Sequence, residues 1–304
     1  MSHTILGKAG EMTHKNRVAV LGVVFSGIEK FIDEYLSSLE KQTYKDFDLI
    51  LINDGFAGLD EFKAKYRLNI REIRYEDTPA KIREFAINYI KHKGYEYIIF
   101  TDSDDFFSEN RVEKSIELLR YYHIVANDLT PVSEKGEVLN SLYLSNRIDN
   151  RSEIRFDFIS DKNIFGFSNT SLRWECLREG VGFDKDLIAV DWYLFSTLLK
   201  KGCRAVFTNE AVTFYRIYQD NVVGLSSDID KAKVEKEINV KLLHYKNFSK
   251  IDNKFRPLYK GFEELKKDMA DKAYSQEYIE KIKGLNIHKP LWWEQVKLPG
   301  ELNL

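Results

Sequence analysis

Several residue types that mark particular protein classes are scarce in this chain. Two cysteines and five prolines occur among 304 residues, which argues against a disulfide-rich secreted scaffold or a proline-rich linker. We expect Cys176 and Cys203 to be reduced and to lie in the core. There is no apolar run of about 18 residues and no secretory signal at the start. The sequence therefore predicts no transmembrane helix, and residues 1–16 are expected to form a flexible arm.

Neither positive nor negative charge is in large excess. The 46 lysines and arginines are matched by 48 aspartates and glutamates, for a formal charge of -2. Binding to nucleic acid depends on a basic surface, so we predict no nucleic-acid partner. Hydrophobic residues make up 43% of the chain, enough for a large core. We expect a cytoplasmic protein that works in solution or at the inner face of the membrane.

The first half of the chain alternates between strand and helix patterns. β-rich runs, each typical of a buried parallel strand, occupy residues 17–25, 47–53, 69–75 and 95–101. Helical spacing separates them, most clearly from Pro79 to about Lys93. This alternation predicts an α/β fold with a mostly parallel, twisted sheet and helices on both faces.

The second half is less regular. Residues 123–129 and 138–145 are predicted to be strands of a hairpin-like excursion, and 162–171 a strand followed by a loop. A helix is predicted at 190–201, followed by short strands at 203–207 and 211–217. Beyond Ser226 the chain is rich in lysine and glutamate and has a helical pattern to about Lys283, which predicts a helical C-terminal extension.

Three carboxylates follow the strand predicted at 95–101. They belong to Asp102, Asp104 and Asp105, and the carboxyl ends of neighbouring parallel strands meet at the same sheet edge. Like charges so close repel one another unless a cation lies between them, and oxygen ligands suit Mg²⁺ or Mn²⁺. Since these ions bind diphosphates, the motif predicts a metal-bound nucleotide substrate. The alternative is an acidic helix N-terminus, which stays most open for Asp105.

The order of several segments resembles that of the family-2 glycosyltransferases, which have the GT-A fold. The resemblance covers roughly residues 17–224. Its segments, in the family's order, are 23–26, 49–55, 80–83, 100–105, 165–170, 182–193 and 214–217. Two positions depart from the family pattern: Val190 stands where a glutamate is common, and Tyr218 where many members carry a histidine. These departures affect the expected contacts to metal and phosphate more than the expected fold.

The resemblance implies a nucleotide diphosphate sugar as donor, with a UDP-sugar favoured. Phe25 and Ser26 would line the pocket for the base, and Asp54 would accept a hydrogen bond from N3–H of a pyrimidine. Arg83 would add positive charge near the nucleotide. The alternatives are a turn aspartate before a glycine for Asp54 and an exposed helical arginine for Arg83.

The resemblance also assigns the acidic motif. Asp104 would be the leading ligand of Mn²⁺ or Mg²⁺, with Asp102 and Asp105 as further ligands. Asp102 and Ser103 would lie on the nucleotide side of the motif. A bound cation would stabilise the departing diphosphate, so no protein acid would be needed there.

Asp191 resembles the aspartate that acts as catalytic base in inverting members of the family. An acceptor hydroxyl must lose a proton as it attacks the anomeric carbon, and a carboxylate within about 3 Å can take that proton. The alternative is an N-cap for the helix that begins near Trp192. In either case the helix dipole is expected to keep the pKa of Asp191 low.

We therefore predict a metal-dependent, inverting glycosyltransferase acting on a hydroxyl of a glycan or lipid-linked glycan. Its parts are an arm (1–16), a nucleotide-sugar-binding half (17–122), an acceptor-binding half with the base (123–226) and a helical extension (227–304). The extension is expected to cap the acceptor side or to form a homodimer contact. Trp292 and Trp293 either pack this end onto the domain or make peripheral contact with a membrane.

Two rival functions remain. A nucleotide-sugar or glycan-binding module without catalysis is kept open by Val190 and Tyr218. A phosphatase of the haloacid dehalogenase type also places two aspartates after a strand, but Phe106 occupies a position where threonine or valine is normal.

Overall fold

The computed structural model describes residues 17–91, 93–140, 142–217 and 229–304. The strands in them are β1 (Val18–Phe25), β2 (Phe47–Asp54), β3 (Ile70–Arg74), β4 (Tyr97–Phe100), β5 (Phe106–Phe107), β6 (Ile124–Val132), β7 (Glu153–Ile154), β8 (Thr170–Arg173) and β9 (Ala205–Arg216). The α-helices are α1 (Ile32–Glu40), α2 (Leu59–Lys65), α3 (Pro79–Ile90), α4 (Arg111–Leu119), α5 (Val190–Lys200), α6 (Lys231–Ile251), α7 (Arg256–Asp268) and α8 (Lys272–Gly284). The predicted arm and Tyr218 lie outside the described residues.

The described strands form one sheet in the order β3-β2-β1-β4-β8-β6-β9-β5, with β7 beside β9. β1 pairs in parallel with β2 and β4, and β6 pairs in parallel with β9. β8 lies antiparallel between β4 and β6, so β4 and β6 run in the same direction. The long strands therefore end at one edge of the sheet. The predicted α/β fold with a mostly parallel sheet is confirmed.

Helices cover both faces of this sheet, as predicted. Along β1, Val20 and Val24 pack with residues of α1 and α4, while Leu21 and Val23 pack on the opposite face with residues of α3 and α5. Each such buried side chain contributes roughly 1.5–3 kcal/mol relative to an exposed one. Successive side chains of β1 point to opposite faces of the sheet and are buried on both, as expected for a parallel sheet.

Gly22 in β1 allows α1 to approach the strand that carries the acidic motif. A Cβ atom at this position would lie 2.5 Å from the hydroxyl oxygen of Tyr35. That hydroxyl lies 2.8 Å from Oγ1 of Thr101, the residue before Asp102. A larger residue at position 22 would therefore displace the support of the motif.

Two expectations for the second half are wrong. The strand predicted at 123–129 is confirmed as β6, which lies between β8 and β9, but the described residues of 138–145 form no strand, and Val138 makes an isolated antiparallel bridge to Val132. The two short strands predicted near the end of this half are one strand, β9, with a register shift opposite Asn127 and Asp128. The irregular residues of β9 obscured its continuity in the sequence pattern.

The predicted helical C-terminal extension is confirmed as α6, α7 and α8. His244 of α6 stacks on Trp192 of α5, with ring centroids 3.6 Å apart. Trp292 and Trp293 are buried, as the packing alternative predicts. Among the residues that the structure describes, no helix is both long and apolar enough to cross a membrane.

Cys176 and Cys203 are half-buried. The sequence predicts each as a separate small core residue, but the structure places their sulfur atoms 3.0 Å apart. This pairing joins the loop after β8 to the loop before β9. Such a contact between positions far apart in the chain has no signal in the spacing of two cysteines.

Candidate active site

A cavity of about 450 Å³ opens at the carboxyl edge of the sheet. This is a typical size for a small-molecule site. Its wall includes every predicted site residue except Asp54, namely Phe25, Ser26, Arg83, Asp102, Ser103, Asp104, Asp105 and Asp191. The fold thus brings residues from both halves of the chain to one place.

The acidic motif alternates between half-buried and buried residues. Asp102 and Asp104 are half-buried and face the cavity, whereas Ser103 and Asp105 are buried. The Ser103 hydroxyl donates a 2.6 Å hydrogen bond to the carbonyl oxygen of Val23 in β1. This bond ties the motif to the neighbouring strand and leaves Asp102 and Asp104 as its two accessible carboxylates.

Asp105 is held inside the protein. One of its oxygens accepts from the Ser168 hydroxyl, and the other accepts from the backbone N–H of Arg216 at 2.7 Å. Burial, together with the neighbouring Asp104, raises the pKa of Asp105 well above its usual range. The helix-cap alternative is wrong for Asp105, because the N-cap of α4 is Asn110.

Arg216, at the end of β9, fixes the backbone of the motif. Its side chain is buried, and its Nε donates a 2.8 Å hydrogen bond to the carbonyl oxygen of Asp104. The same guanidinium donates to the carbonyl oxygen of Glu134 at 2.6 Å and pairs with the Glu34 carboxylate. The sequence placed Arg216 in a family-like segment but gave it no role.

Arg111 supports the end of β4, which leads into the acidic motif. The sequence pattern assigns this residue no role. Its guanidinium donates to the carbonyl oxygen of Phe100 at 2.7 Å and to the side chain of Asn127 at 2.9 Å. Burial lowers the pKa of Arg111 to about 9. An arginine in the first turn of a helix looks solvent-facing in a sequence, so only its tertiary position shows this role.

Arg83, on α3, is the cationic residue of the described cavity wall. Its guanidinium forms an ion pair with the carboxylate of Asp102. It also lies over the ring of Phe167, 4.6 Å from the centroid. This ring holds the guanidinium in place through a cation–π contact, so positive charge stands next to the motif as predicted.

Asp191 lies in the first turn of α5, one residue after the helix begins. Its Oδ1 accepts a 2.6 Å hydrogen bond from the backbone N–H of Trp192. Burial raises the pKa of Asp191 to about 7, and the charge of Asp102 adds to this effect. The prediction of a low pKa is therefore wrong, because loss of solvation outweighs the helix dipole.

Phe25, Ser26 and Asp54 lie at the edge where β1 and β2 end. Phe25 is opposite Asp54 in the pairing of the two strands, and the Ser26 hydroxyl donates to the carbonyl oxygen of Gly55 at 2.8 Å. Burial and the charges of Glu76 and Asp77 raise the pKa of Asp54. Asp54 is not part of the cavity wall. Its strand partner Phe25 is part of that wall.

The acidic residues meet the requirements of a divalent cation only in part. Among the described residues, no three side chains of histidine, cysteine, aspartate or glutamate converge on one point. Mg²⁺ is commonly held by one or two carboxylates, with substrate phosphates and water completing the shell. Asp104 and Asp102 can supply that smaller set from the cavity wall. The residues therefore fit a cation that binds together with a diphosphate.

Comparisons with known proteins find relatives of similar sequence. Minor teichoic acid biosynthesis protein GgaA of Bacillus subtilis is 28% identical over 193 residues, which are 60% of this chain and 43% of that protein. The chain spans between 20% and 43% of the length of three such curated relatives.

Two solved structures have the same fold at low sequence identity. Staphylococcus aureus TarS in complex with UDP-GlcNAc superposes with a TM-score of 0.55 at 17% identity, covering 75% of this chain and 66% of that chain. Mannosyltransferase PcManGT from Pyrobaculum calidifontis, in complex with GDP-Man and Mn²⁺, gives a TM-score of 0.56 at 15% identity, covering 78% and 65%. The predicted GT-A fold is confirmed.

The family follows from a match to a sequence model that includes the acidic motif. The sequence model described as Glycosyl transferase family 2 matches residues 21–173, just over half of the 304 residues. This range contains most of β1 and the acidic motif, which both contribute residues to the cavity wall. The chain belongs to glycosyl transferase family 2.

Proposed function

We propose that this chain is an inverting, metal-dependent glycosyltransferase that uses a nucleotide diphosphate sugar. The observation that carries the proposal is a shared cavity. Asp102 and Asp104 enter it from the end of β4, and Asp191 enters it from the first turn of α5. One pair of carboxylates is thus available on the donor side and a separate carboxylate on the acceptor side.

The donor's phosphates would lie at the acidic motif. Asp104 and Asp102 would hold Mn²⁺ or Mg²⁺, which when bound supplies positive charge to the departing diphosphate. Arg83 stands beside Asp102 and would donate to a phosphate oxygen, since guanidinium groups bind phosphates well. Asp105 and Arg216 would keep the motif in place without contacting the donor.

The base of the donor would lie at the ends of β1 and β2. Phe25 offers an aromatic ring that is 37% exposed, and Ser26 lies next to it on the cavity wall. Asp54 would accept from N3–H of a uracil ring, which favours a UDP-sugar. Cytosine and adenine present an acceptor instead of an N–H at the corresponding ring nitrogen, so Asp54 would also discriminate against those two bases.

Asp191 would take the proton of the attacking acceptor hydroxyl. A single carboxylate on the acceptor side suits direct displacement at the anomeric carbon, which inverts its configuration. A base whose pKa lies near 7 has both an ionised population at neutral pH and appreciable proton affinity. A glycan or lipid-linked glycan acceptor is our proposal, and the relative named for teichoic acid biosynthesis supports a biosynthetic role.

The test begins with the donor. Thermal shifts with UDP, GDP, CDP and dTDP, each with and without Mn²⁺, identify the base, because a ligand at about 100 times its Kd stabilises by roughly 2.7 kcal/mol. Transfer from the matching nucleotide sugar is then measured, and NMR of the product gives the anomeric configuration. We expect the UDP shift to require Mn²⁺ and the product to be inverted.

Asp191→Asn is the decisive variant. It should lower kcat about 10³-fold, within the range for loss of a general base, while the Mn²⁺-dependent UDP shift persists. Asp186→Asn is the matched control, because Asp186 is exposed and precedes α5. Full transfer by Asp191→Asn would contradict the proposal, and nucleotide binding without any turnover would favour the non-catalytic module.

A further inference from the structure

Two tryptophans outside the matched family region complete the cavity. Trp292 and Trp293 belong to the C-terminal segment, residues 285–304, which follows α8. Both rings line the cavity that also contains Asp191. Since the family match ends at residue 173, the family pattern assigns them no role.

The C-terminal segment is fastened to the catalytic core on both sides of these rings. The backbone N–H of Asn163 donates to the carbonyl oxygen of Trp292 at 2.9 Å. The Tyr143 hydroxyl donates to the carbonyl oxygen of Pro290 at 2.8 Å. Arg147 makes a two-pronged ion pair with Glu294, with N–O distances of 2.9 and 3.0 Å. The position of the rings is therefore set by the core, although the segment is far away in sequence.

The backbone at Trp293 is in the left-handed region, with φ of 67°. A bulky residue rarely adopts this conformation, which persists only where surrounding contacts fix it. The ring of Trp293 stacks beside Trp192, with centroids 6.5 Å apart and planes at 25°. Trp192 is the residue after Asp191, and Trp293 lines the same cavity as that proposed base.

Trp292 faces residues that leave room for it. A Cβ at Gly166 would lie 3.4 Å from the ring of Trp292, and Tyr215 meets the same ring edge-on at a centroid distance of 5.8 Å. Gly166 and Tyr215 both belong to the cavity wall. The aromatic surface therefore continues from the C-terminal segment to the end of β9.

The charges around the cavity limit what this aromatic surface can bind. The acidic motif and Asp191 supply four carboxylates to the described wall, whereas Arg83 supplies one cation and is paired with Asp102. The donor's diphosphate and its cation would occupy the motif. On the remaining side, the wall of Ile188, Ala189, Tyr215 and the two tryptophans is uncharged. A negatively charged acceptor ring would be repelled there.

We propose that Trp292 and Trp293 form an acceptor subsite that stacks against the face of a neutral pyranose ring and presents its hydroxyl to Asp191. This inference rests on the proposed glycosyltransferase function and specifies the chemistry of its acceptor. Aromatic rings offer a large apolar face with an electron-rich surface, which suits the C–H groups on one side of a sugar ring. The subsite determines specificity and takes no part in the bond-making step.

The test uses neutral 4-nitrophenyl glycosides, namely the glucoside, galactoside, mannoside and N-acetylglucosaminide, and compares them with the anionic 4-nitrophenyl glucuronide. Trp292→Ala should raise the acceptor KM at least tenfold while the donor KM changes less than twofold. Trp292→Phe retains an aromatic face and should recover most of the acceptor affinity. Trp174→Phe is the matched control, because Trp174 lies outside the cavity wall, and it should behave as wild type.

A binding measurement keeps the inference separate from turnover. Tryptophan fluorescence of the protein loaded with UDP and Mn²⁺ is titrated with each glycoside, in wild type, Trp292→Ala, Trp293→Ala and Trp174→Phe. We expect a neutral glycoside to change the signal in wild type and Trp174→Phe, with at least fivefold weaker binding in the two alanine variants. No glycoside binding, unchanged affinity in both cavity variants, or a preference for the glucuronide would overturn the subsite. Tryptophan-dependent glycoside binding without sugar transfer would refute the glycosyltransferase proposal alone.

Discussion

The two halves of the sheet differ in what their strands bury. β1, β2 and β4 bury mainly aliphatic and aromatic side chains, with Asp48 and Asn53 of β2 as polar exceptions. β6, β8 and β9 bury many polar residues, among them Asn127, Asp128, Thr130, Thr170, Ser171 and Thr213. Buried polar groups are costly unless they are hydrogen-bonded, so the second half is held by specific partners as well as by apolar contact.

Those partners form a network that ends at the acidic motif. Arg111 donates to the side chain of Asn127 at 2.9 Å, and Asn127 donates to the Thr213 hydroxyl at 3.0 Å. Thr213 donates to the carbonyl oxygen of Ser168 at 2.9 Å, and the Ser168 hydroxyl binds Asp105. The comparison teaches that the apolar half supplies the platform, whereas the polar half determines where the carboxylates stand.

The largest expected break in this comparison is Arg216→Ala. Removing one partner from a buried charged network costs about 3–5 kcal/mol, because the carbonyl oxygens of Asp104 and Glu134 and the carboxylate of Glu34 lose their donor. We expect urea denaturation to show this loss and the Mn²⁺-dependent UDP shift to disappear. Arg216→Lys should recover little, because an ammonium group cannot reproduce the guanidinium fork. Stability within about 1 kcal/mol of wild type would mean that the network is not needed.

A matched pair of smaller changes sharpens the same contrast. Thr213→Val keeps the shape of the side chain but removes the hydroxyl between Asn127 and Ser168, and an unsatisfied buried group costs about 1–3 kcal/mol. Ile52→Val removes one methylene group from the apolar half and should cost about 0.5–1.5 kcal/mol. Denaturation gives both free energies, and calorimetry gives the affinity for UDP with Mn²⁺.

Only Thr213→Val should weaken the affinity for UDP. Its hydroxyl lies two hydrogen bonds from Asp105, whereas Ile52 belongs to the apolar core cluster. Equal effects on nucleotide affinity from both variants would show that the motif responds to general loosening of the fold. In that case the difference between the two halves would be one of composition only.

The apolar half could be predicted from the sequence, and much of the polar half could not. The runs ending at Phe25, Asn53 and Thr101 are local signals, because continuous apolar residues indicate a buried strand wherever they occur. The contact from Arg216 to Asp104 joins positions 112 residues apart, and nothing in either segment marks its partner. The sequence pattern divides β9 into two strands for the same reason. The polar residues of β9 form hydrogen bonds with groups distant in the sequence, so in the sequence they resemble a loop.

The candidate site shows the same limit. Asp102, Asp104 and Asp191 could be placed from a motif and a resemblance, because residue type and order are visible in a sequence. The sign of the pKa shift of Asp191 could not, because it depends on how much water the folded chain removes. In the sequence, Trp292 is only one of two adjacent aromatic residues. Its position at the cavity depends on a hydrogen bond from the backbone N–H of Asn163, which is distant in the sequence.

The smallest expected effect is a pH dependence centred on Asp191. Burial raises the pKa of this carboxyl group to about 7, and only its ionised form can accept a proton. The kcat for transfer should therefore rise about tenfold between pH 6 and pH 8 and then level off. The pH profile of kcat in wild type, with Asp186→Asn as control, measures this rise.

Stability should change with pH in the opposite direction. The folded pKa of Asp191 lies above that of the unfolded chain, so the folded state binds a proton more tightly between about pH 4 and pH 7. The stability that protonation contributes is complete below about pH 4 and is lost as the pH rises through about 7. Asp191→Asn should consequently be more stable than wild type at pH 8 and no more stable at pH 4. Equal destabilisation of Asp191→Asn at both pH values would show that Asp191 is a structural residue of α5. A buried base instead costs the fold most at pH 8, because its carboxylate is ionised there and is then active as a base.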